Sequence, residues 1–434
     1  MKLRYLPMLL GALLANGPLS AQYSDTPFYE NGPLRYSDHV YQQGLRSVRL
    51  SPLSSDRGFP VIALNSGERL LFSFDDLYEE YVEYSYTVIH CDANWQPSDL
   101  MSSQYLGNLT NDYITDYAYS INALVPYTHY RLTLPNDKIQ FTKSGNYLLL
   151  VYRDGNQSQP VITRRFMVYE ELVSVGATVK RPNAVSLMNT HQEIDFTVNH
   201  PDYNIQNPYQ DLQVHVLQNQ RYDNALTDLK PRFVQQGALV YQYDKENTFA
   251  GGNEFRFFDI KNLQSLSQNV RNIERTDKFE VYLAKGRPRT SSAYSTWPDI
   301  DGQYRVRRLD ASNSETTADY ALVNFYLSRP EGPLPRPVYV FGELSTWKLR
   351  PEFRMQYDKE AGAYRLQAYL KQGYYNYMYA QLPDKPARGV DLESLEGSHW
   401  ETQNTYQILV YNRELGARYD RLVGFGAFNS QDLF

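Results

Sequence analysis

Apolar and aromatic residues recur along this chain with a period of two, and no long amphipathic helical pattern accompanies them. That single feature most narrows the fold. Val82, Tyr84, Tyr86 and Val88 point one way while Tyr81, Glu83, Ser85 and Thr87 point the other, the signature of a half-buried strand. Residues 147–152 and 165–169 read as two further strands, and Arg153-Asp154-Gly155-Asn156 between them carries turn chemistry, so a hairpin is expected. A second hairpin is expected where Tyr364, Leu366, Ala368 and Leu370 share a face, Gln372-Gly373 interrupts, and residues 374–379 resume. A short helix is expected within 97–106, with Ser98 as its N-cap. The aromatics are 39 Tyr against 19 Phe and 4 Trp, and Tyr favours strands while its hydroxyl tolerates a half-wet face.

A length of 434 residues implies roughly two to four domains. Residues 329–337 hold four prolines, which remove backbone donors and stiffen the chain; a weaker change of pattern falls at 170–181. The expected organisation is therefore mainly β, with about three consecutive sandwich-like domains at 22–172, 173–330 and 331–434. Ahead of them, Lys2 and Arg4 precede an apolar run from Leu6 to Leu14 and a small-residue site ending Leu19-Ser20-Ala21. Residues 1–21 read as a secretory signal peptide, and no later run approaches the roughly 20 apolar residues of a membrane helix. Removing Lys2 and Arg4 takes the formal charge from −6 to about −8, which argues against a nucleic-acid partner. With Cys91 alone, no intramolecular disulfide can form, so stability must come from the cores.

The sequence holds no nucleophile elbow, zincin motif, P-loop or dinucleotide fingerprint. His90-Cys91-Asp92 groups possible ligands, but in a strand His90 and Cys91 face opposite sides, and a structural role is expected. Asp299-Ile300-Asp301-Gly302 resembles the opening of a calcium loop without its later ligands; a turn is the simpler reading. Asp75 and Asp76 are adjacent carboxylates beside a strand, and paired carboxylates suit acid and base chemistry; a solvated strand end is the simpler alternative. Gln218-Asn219-Gln220-Arg221 and Gly251-Gly252-Asn253-Glu254-Phe255-Arg256 combine glycines or amides with arginine, suited to tight turns or to partner contact. Arg221, Asn253 and Arg256 are the partner-contact candidates.

Val338-Tyr339-Val340-Phe341-Gly342-Glu343-Leu344-Ser345-Thr346-Trp347, followed by Gly373-Tyr374-Tyr375-Asn376-Tyr377, resembles the early-set β-sandwich of glycogen- and starch-binding modules. That resemblance implies Trp347, Tyr377 and Trp400 as stacking candidates in an alternative reading, an exported carbohydrate-binding protein. The same residues would otherwise form the sandwich core.

A wider set of segments carries a more specific likeness. His90-Cys91-Asp92-Ala93-Asn94-Trp95, Ser144-Gly145-Asn146-Tyr147, Thr163-Arg164-Arg165-Phe166, Gln218-Asn219-Gln220-Arg221, Gly252-Asn253-Glu254-Phe255-Arg256, Lys371-Gln372-Gly373-Tyr374-Tyr375-Asn376-Tyr377 and Arg418-Tyr419-Asp420, in this order, resemble the type IX secretion system plug protein family of Bacteroidota. The likeness runs from about Tyr36 to the C-terminus. It implies a periplasmic, non-enzymatic protein without cofactor. Such a protein sits against the periplasmic mouth of a giant outer-membrane β-barrel translocon, one copy per translocon, and closes its pore without entering the membrane. The family supplies no contact residues to carry over. The irregular loops of the first two domains are the expected contact surface.

Overall fold

The computed structural model describes residues 33–78, 81–385 and 387–433; the expected signal peptide lies outside them. Strands make up 45% of the structure and helix 6%, so the fold is mainly β, as the alternation requires. The expected helix is a single turn, Ser102–Tyr105. Ser98 does not cap it, because the helix begins later and Met101 holds the N-cap position; the Ser98 hydroxyl is engaged with the His90 ring instead.

The first sandwich packs two sheets face to face. One has the order His39–Val40, Pro160–Tyr169, Gly145–Arg153, Tyr84–Cys91, Asn111–Tyr113, with Val61–Ala63 added parallel to Pro160–Tyr169; the other runs Leu45–Pro52, Leu70–Asp76, Thr128–Leu134, Asp116–Tyr119. Phe72, Phe74, Tyr84, Tyr86, Tyr130, Tyr147 and Phe166 point inward between them, as period-two side chains must when one face of each sheet is dry. The first expected hairpin is present. Its turn places Asp154 and Gly155 at φ 54° and 66°, left-handed conformations that this residue pair accepts readily.

A second sandwich holds Ser174–Lys180, His191–Asn199, Phe233–Gln235, Ala238–Tyr241 and Thr248–Ala250 against Leu226–Leu229, Leu212–Gln218, Thr405–Asn412 and Arg421–Asn429. Its core joins Val198, Val214, Val216 and Tyr241 to Tyr406, Ile408 and Val410. The last two long strands of the chain thus complete a sandwich begun more than 150 residues earlier, since Leu212–Gln218 pairs along its length with Thr405–Asn412. Everything between forms the third sandwich: Arg256–Asp259, Gly373–Gln381, Tyr304–Val306 and Val338–Phe341 face Val270–Arg275, Phe279–Leu283, Tyr320–Ser328, Ala363–Lys371 and Gln356–Asp358.

The sheets therefore do not follow the expected division at 330 and 331. Tyr320–Ser328 pairs along its whole length with Ala363–Lys371 across that point, and the four prolines lie in the connection that carries the chain from one sheet of the third sandwich to the other. Proline removes donors in such a connection as it does in a linker, so composition alone does not separate the two. The second expected hairpin is also replaced. Ala363–Lys371 and Gly373–Gln381 are consecutive strands, but they lie in opposite sheets, because the single residue Gln372 between them is too short for a hairpin loop and serves as a corner. Gly373 is required there: a Cβ would come within 2.2 Å of the Arg305 carbonyl oxygen on the neighbouring strand.

Candidate functional site

The polar residues marked out by the sequence converge on the junctions between sandwiches. Asp75 is the penultimate residue of an inner strand of the first sandwich, Leu70–Asp76, and is fully buried. Its Oδ1 accepts from His129 Nδ1 at 2.6 Å, and its Oδ2 accepts from both Lys371 Nζ and the Tyr320 hydroxyl, each at 2.6 Å. Lys371 also donates to the Glu315 carbonyl at 2.6 Å and lies 4.0 Å from the centre of the Tyr127 ring. Asp75, His129 and Tyr127 belong to the first sandwich, whereas Tyr320, Lys371 and Glu315 belong to the third. Burial by itself would raise the Asp75 carboxyl, but Lys371 and His129 hold it below the usual carboxylate range. Asp76 instead accepts from the Tyr84 hydroxyl at 2.8 Å inside the first sandwich. Two adjacent acids thus face different partners, neither has access to solvent, and the expected solvated strand end is a buried ionic lock.

Arg221, Asn253 and Arg256 are internal too. The Arg221 guanidinium holds both carboxylate oxygens of Asp223, at 3.0 and 2.7 Å, and sits over Phe341 and Trp347 of the third sandwich. Asn253 donates to the Glu396 carbonyl at 2.8 Å. Arg256 Nε lies 2.9 Å from Oε1 of Glu396, Arg289 Nε lies 2.7 Å from Oε2, and the Tyr379 N–H donates to Oε1 at 2.8 Å. Glu396 has no exposed surface; burial raises its carboxyl, and Arg256 and Arg289 outweigh that and lower it. The amides and arginines expected to face a partner are spent inside the molecule: Arg221 bridges the second and third sandwiches, Asn253 pins the connection between them, and Arg256 ties a strand of the third sandwich to that sandwich's own Glu396.

The stacking candidates do not form a platform. Tyr377 lies in the third core against Phe258 and Phe325. Trp347 packs on Phe255 and Phe341, and its six-membered ring fills the space beside Gly302, whose φ of +78° and missing Cβ allow the approach. Trp400 belongs to another junction, its carbonyl accepting from Gln192 at 2.7 Å and its ring lying under Arg181.

His90, Cys91 and Asp92 divide as the strand alternation requires. His90 Nε2 donates to the Ser144 carbonyl at 3.0 Å, and burial pushes its pKa down to about 4. Cys91 lies on the opposite side, in an apolar seam with Trp95, Leu148, Met167, Leu217, Leu409 and Tyr411; burial pushes its thiol up to about 12, far from a nucleophile. Asp92 accepts two backbone N–H groups of the following turn, from Asn94 and Gln96. Asp299 likewise staples a turn, accepting from Phe255 N and Asp301 N at 2.6 and 2.8 Å. Among the described residues no group of three or more His, Cys, Asp or Glu is arranged to hold a metal ion.

What sequence reasoning missed is the rim of the first sandwich. Strands Asn111–Tyr113 and Asp116–Tyr119 are the outer edges of its two sheets, and Tyr81, Tyr113, Tyr117 and Tyr119 stand there 40% to 52% exposed. The rings of Tyr81 and Tyr117 are 4.7 Å apart, and those of Tyr117 and Tyr119 5.8 Å. The spacing of Tyr117 and Tyr119 on one strand face was readable; that the face is uncovered was not.

Fold and site together define a class: an all-β protein of several interlocked sandwiches whose polar constellations bind its own parts to one another and whose first sandwich exposes an aromatic edge. Residues 45–170, nearly all of that first sandwich, match the family model described as Type 9 secretion system plug protein 1st domain. The chain belongs to the type IX secretion system plug protein family, and the family places it in type IX secretion. The crystal structure of a hypothetical protein from Parabacteroides merdae is 33% identical, with a TM-score of 0.87 over 91% of this chain and 100% of that one. No curated protein is significantly similar. No helix among the described residues is long and apolar enough to cross a membrane.

Proposed function

We propose that the protein is a periplasmic plug, seated one copy per translocon against the periplasmic opening of the giant outer-membrane β-barrel, and that it closes the pore between transport events without catalysing a reaction. The observation that carries this reading is the way the sandwiches are bolted together. A stopper must resist deformation over a wide opening, and a chain that ordered only on binding would lose about 1 to 2 kcal/mol per residue. Here the first and third sandwiches are joined through Asp75 and Lys371, the second and third through the Arg221 guanidinium over Phe341 and Trp347, and the first and second through the Cys91 seam.

The contact surface we assign is the tyrosine rim of the first sandwich. Tyrosine gives large contact area with few rotatable bonds and keeps a hydroxyl for water or a partner, which suits a seal that must form and release. The reading is tested by incorporating the purified barrel into a planar lipid bilayer and adding the protein to the periplasmic face. Conductance is expected to fall on addition, and to stay high when Tyr117 and Tyr119 are both replaced by Ser. Conductance unchanged by the wild-type protein would refute pore closure. Affinity isolation of the tagged protein from native membranes in mild detergent supplies the partner's identity, with a very large outer-membrane barrel as the expected co-purifying species.

A further inference from the structure

A groove of about 1000 Å³ opens where all three sandwiches meet, at the upper end of the size range of ligand sites. One wall is the strand Arg421–Asn429, which is the outer strand of its sheet. Ser430 N–H donates to the Asn404 carbonyl at 2.9 Å, and Phe428 is opposite Tyr406 and Gly426 opposite Ile408. In an antiparallel ladder bonded and open positions alternate. Phe428 and Gly426 therefore turn their backbone groups to the neighbouring strand, while Phe425, Ala427 and Asn429 turn theirs outward. Those three residues line the groove; the backbone N–H groups of Glu170, Leu172 and Val173 already take the carbonyls of Leu422 and Val423, and among the described residues no strand pairs beyond them along Phe425–Asn429.

The facing wall comes from the third sandwich, residues 296–303, and carries Asp299 and Asp301. Asp301 Oδ1 is buried and has no hydrogen-bond partner among the described residues. With Glu68, the lining holds three carboxyl groups against one guanidinium, that of Arg57. We infer that this groove binds an extended, basic segment of another polypeptide, which adds as a short strand to the open side of Phe425–Asn429 and sets a Lys or Arg against Asp301. Strand addition uses main-chain hydrogen bonds for affinity and alternate side chains for specificity. The edge lies within a groove and not on an open flat face, so it is shielded from the sheet-to-sheet pairing that a flat edge invites. This inference does not rest on the plug reading and can hold or fail separately.

The test uses the full mature chain and a phage-displayed random decapeptide library as probe, followed by a synthetic copy of the most enriched peptide in fluorescence anisotropy. Enriched sequences are expected to share a Lys or Arg at a fixed position. Asp301→Asn should weaken binding about tenfold, equivalent to roughly 1.4 kcal/mol. Ala427→Pro removes one outward N–H on an edge strand, where proline is tolerated, and should weaken it similarly while thermal unfolding stays cooperative. Methylating peptide nitrogens one at a time should abolish binding at every second position only, a pattern that side-chain contact alone does not produce. The inference is overturned if no peptide is enriched over a groove-blocked Ala427→Arg protein, or if the methylation scan lacks the two-residue period. It is equally overturned if maltoheptaose binds in the groove and the peptides do not, or if the edge proves to pair with a second copy of the chain in sedimentation.

Discussion

The first sandwich meets its two neighbours through surfaces of opposite character. Against the second it presents Cys91, Trp95, Leu148 and Met167, which close with Leu217, Leu409 and Tyr411 into an apolar seam. Against the third it presents Asp75, His129 and Tyr127, which receive Lys371 and Tyr320 in a fully buried ionic cluster. An apolar seam stabilises in proportion to the area it hides and tolerates small changes of register. A buried ion pair contributes little net stability over an apolar substitute, yet it is costly to break and accepts only one geometry. The seam thus holds the sandwiches together, and the ionic cluster fixes the angle between them.

Unpairing Asp75 gives the largest way to break this comparison. Lys371→Met strands a buried carboxylate and should cost about 3–5 kcal/mol in chemical denaturation, whereas adding Asp75→Leu in the same chain should recover most of the loss. A single variant within about 1 kcal/mol of wild type would show that the cluster does not lock the junction. The cluster also sets an acid limit. Because the folded-state pKa values of Asp75 and Glu396 are depressed, their contribution is complete above roughly pH 4.5 and is lost as pH falls through those lowered values. Truncating the seam comes next: Leu409→Ala should cost about 2–4 kcal/mol with no added dependence on pH, and an acid-sensitive loss there would erase the distinction between the two junctions.

A smaller effect of opposite sign is expected at a carboxyl whose burial outweighs the pull of the nearby Arg57 guanidinium. Burial raises Asp301 to about 6. A raised folded-state value favours folding below about pH 4 and is lost as pH rises through 6, so Asp301→Asn should gain about 1 kcal/mol over wild type between pH 5 and pH 8 after allowance for solvent screening. An unchanged difference across that range would mean the carboxyl is not desolvated. Least of all should the outer rim matter to folding. Tyr113→Ser is expected to shift stability by less than about 0.5 kcal/mol while reducing recovery of the barrel in affinity isolation, and a large destabilisation would mean the tyrosines serve the sandwich rather than a partner.

Local order was legible because it is written in neighbouring residues. Alternation placed Tyr84–Cys91, and Arg153-Asp154-Gly155-Asn156 placed a true hairpin. The same reasoning joined residues 364–379 into a hairpin that does not exist, because strand patterning reports which face is apolar and not which sheet receives the strand. The family segments were visible as well, and their clustering explains them: Arg165 pairs with Asp38 and lies 3.6 Å from the centre of the Tyr222 ring, Asp420 accepts from Ala93 N–H at 2.8 Å, and the Tyr411 hydroxyl donates to Asn146 at 2.8 Å. They are docking residues of the chain upon itself.

By itself the sequence determined a mainly β chain, its aromatic cores and its strand faces, since these follow from a two-residue period and local turn chemistry. Only the tertiary structure decided that the last strands return to the second sandwich and that Asp75 finds Lys371, 296 positions away. No local pattern encodes such a pairing. It arises when two half-formed sheets bury their remaining apolar faces, and the charges they bring with them are then left with each other as partners instead of water.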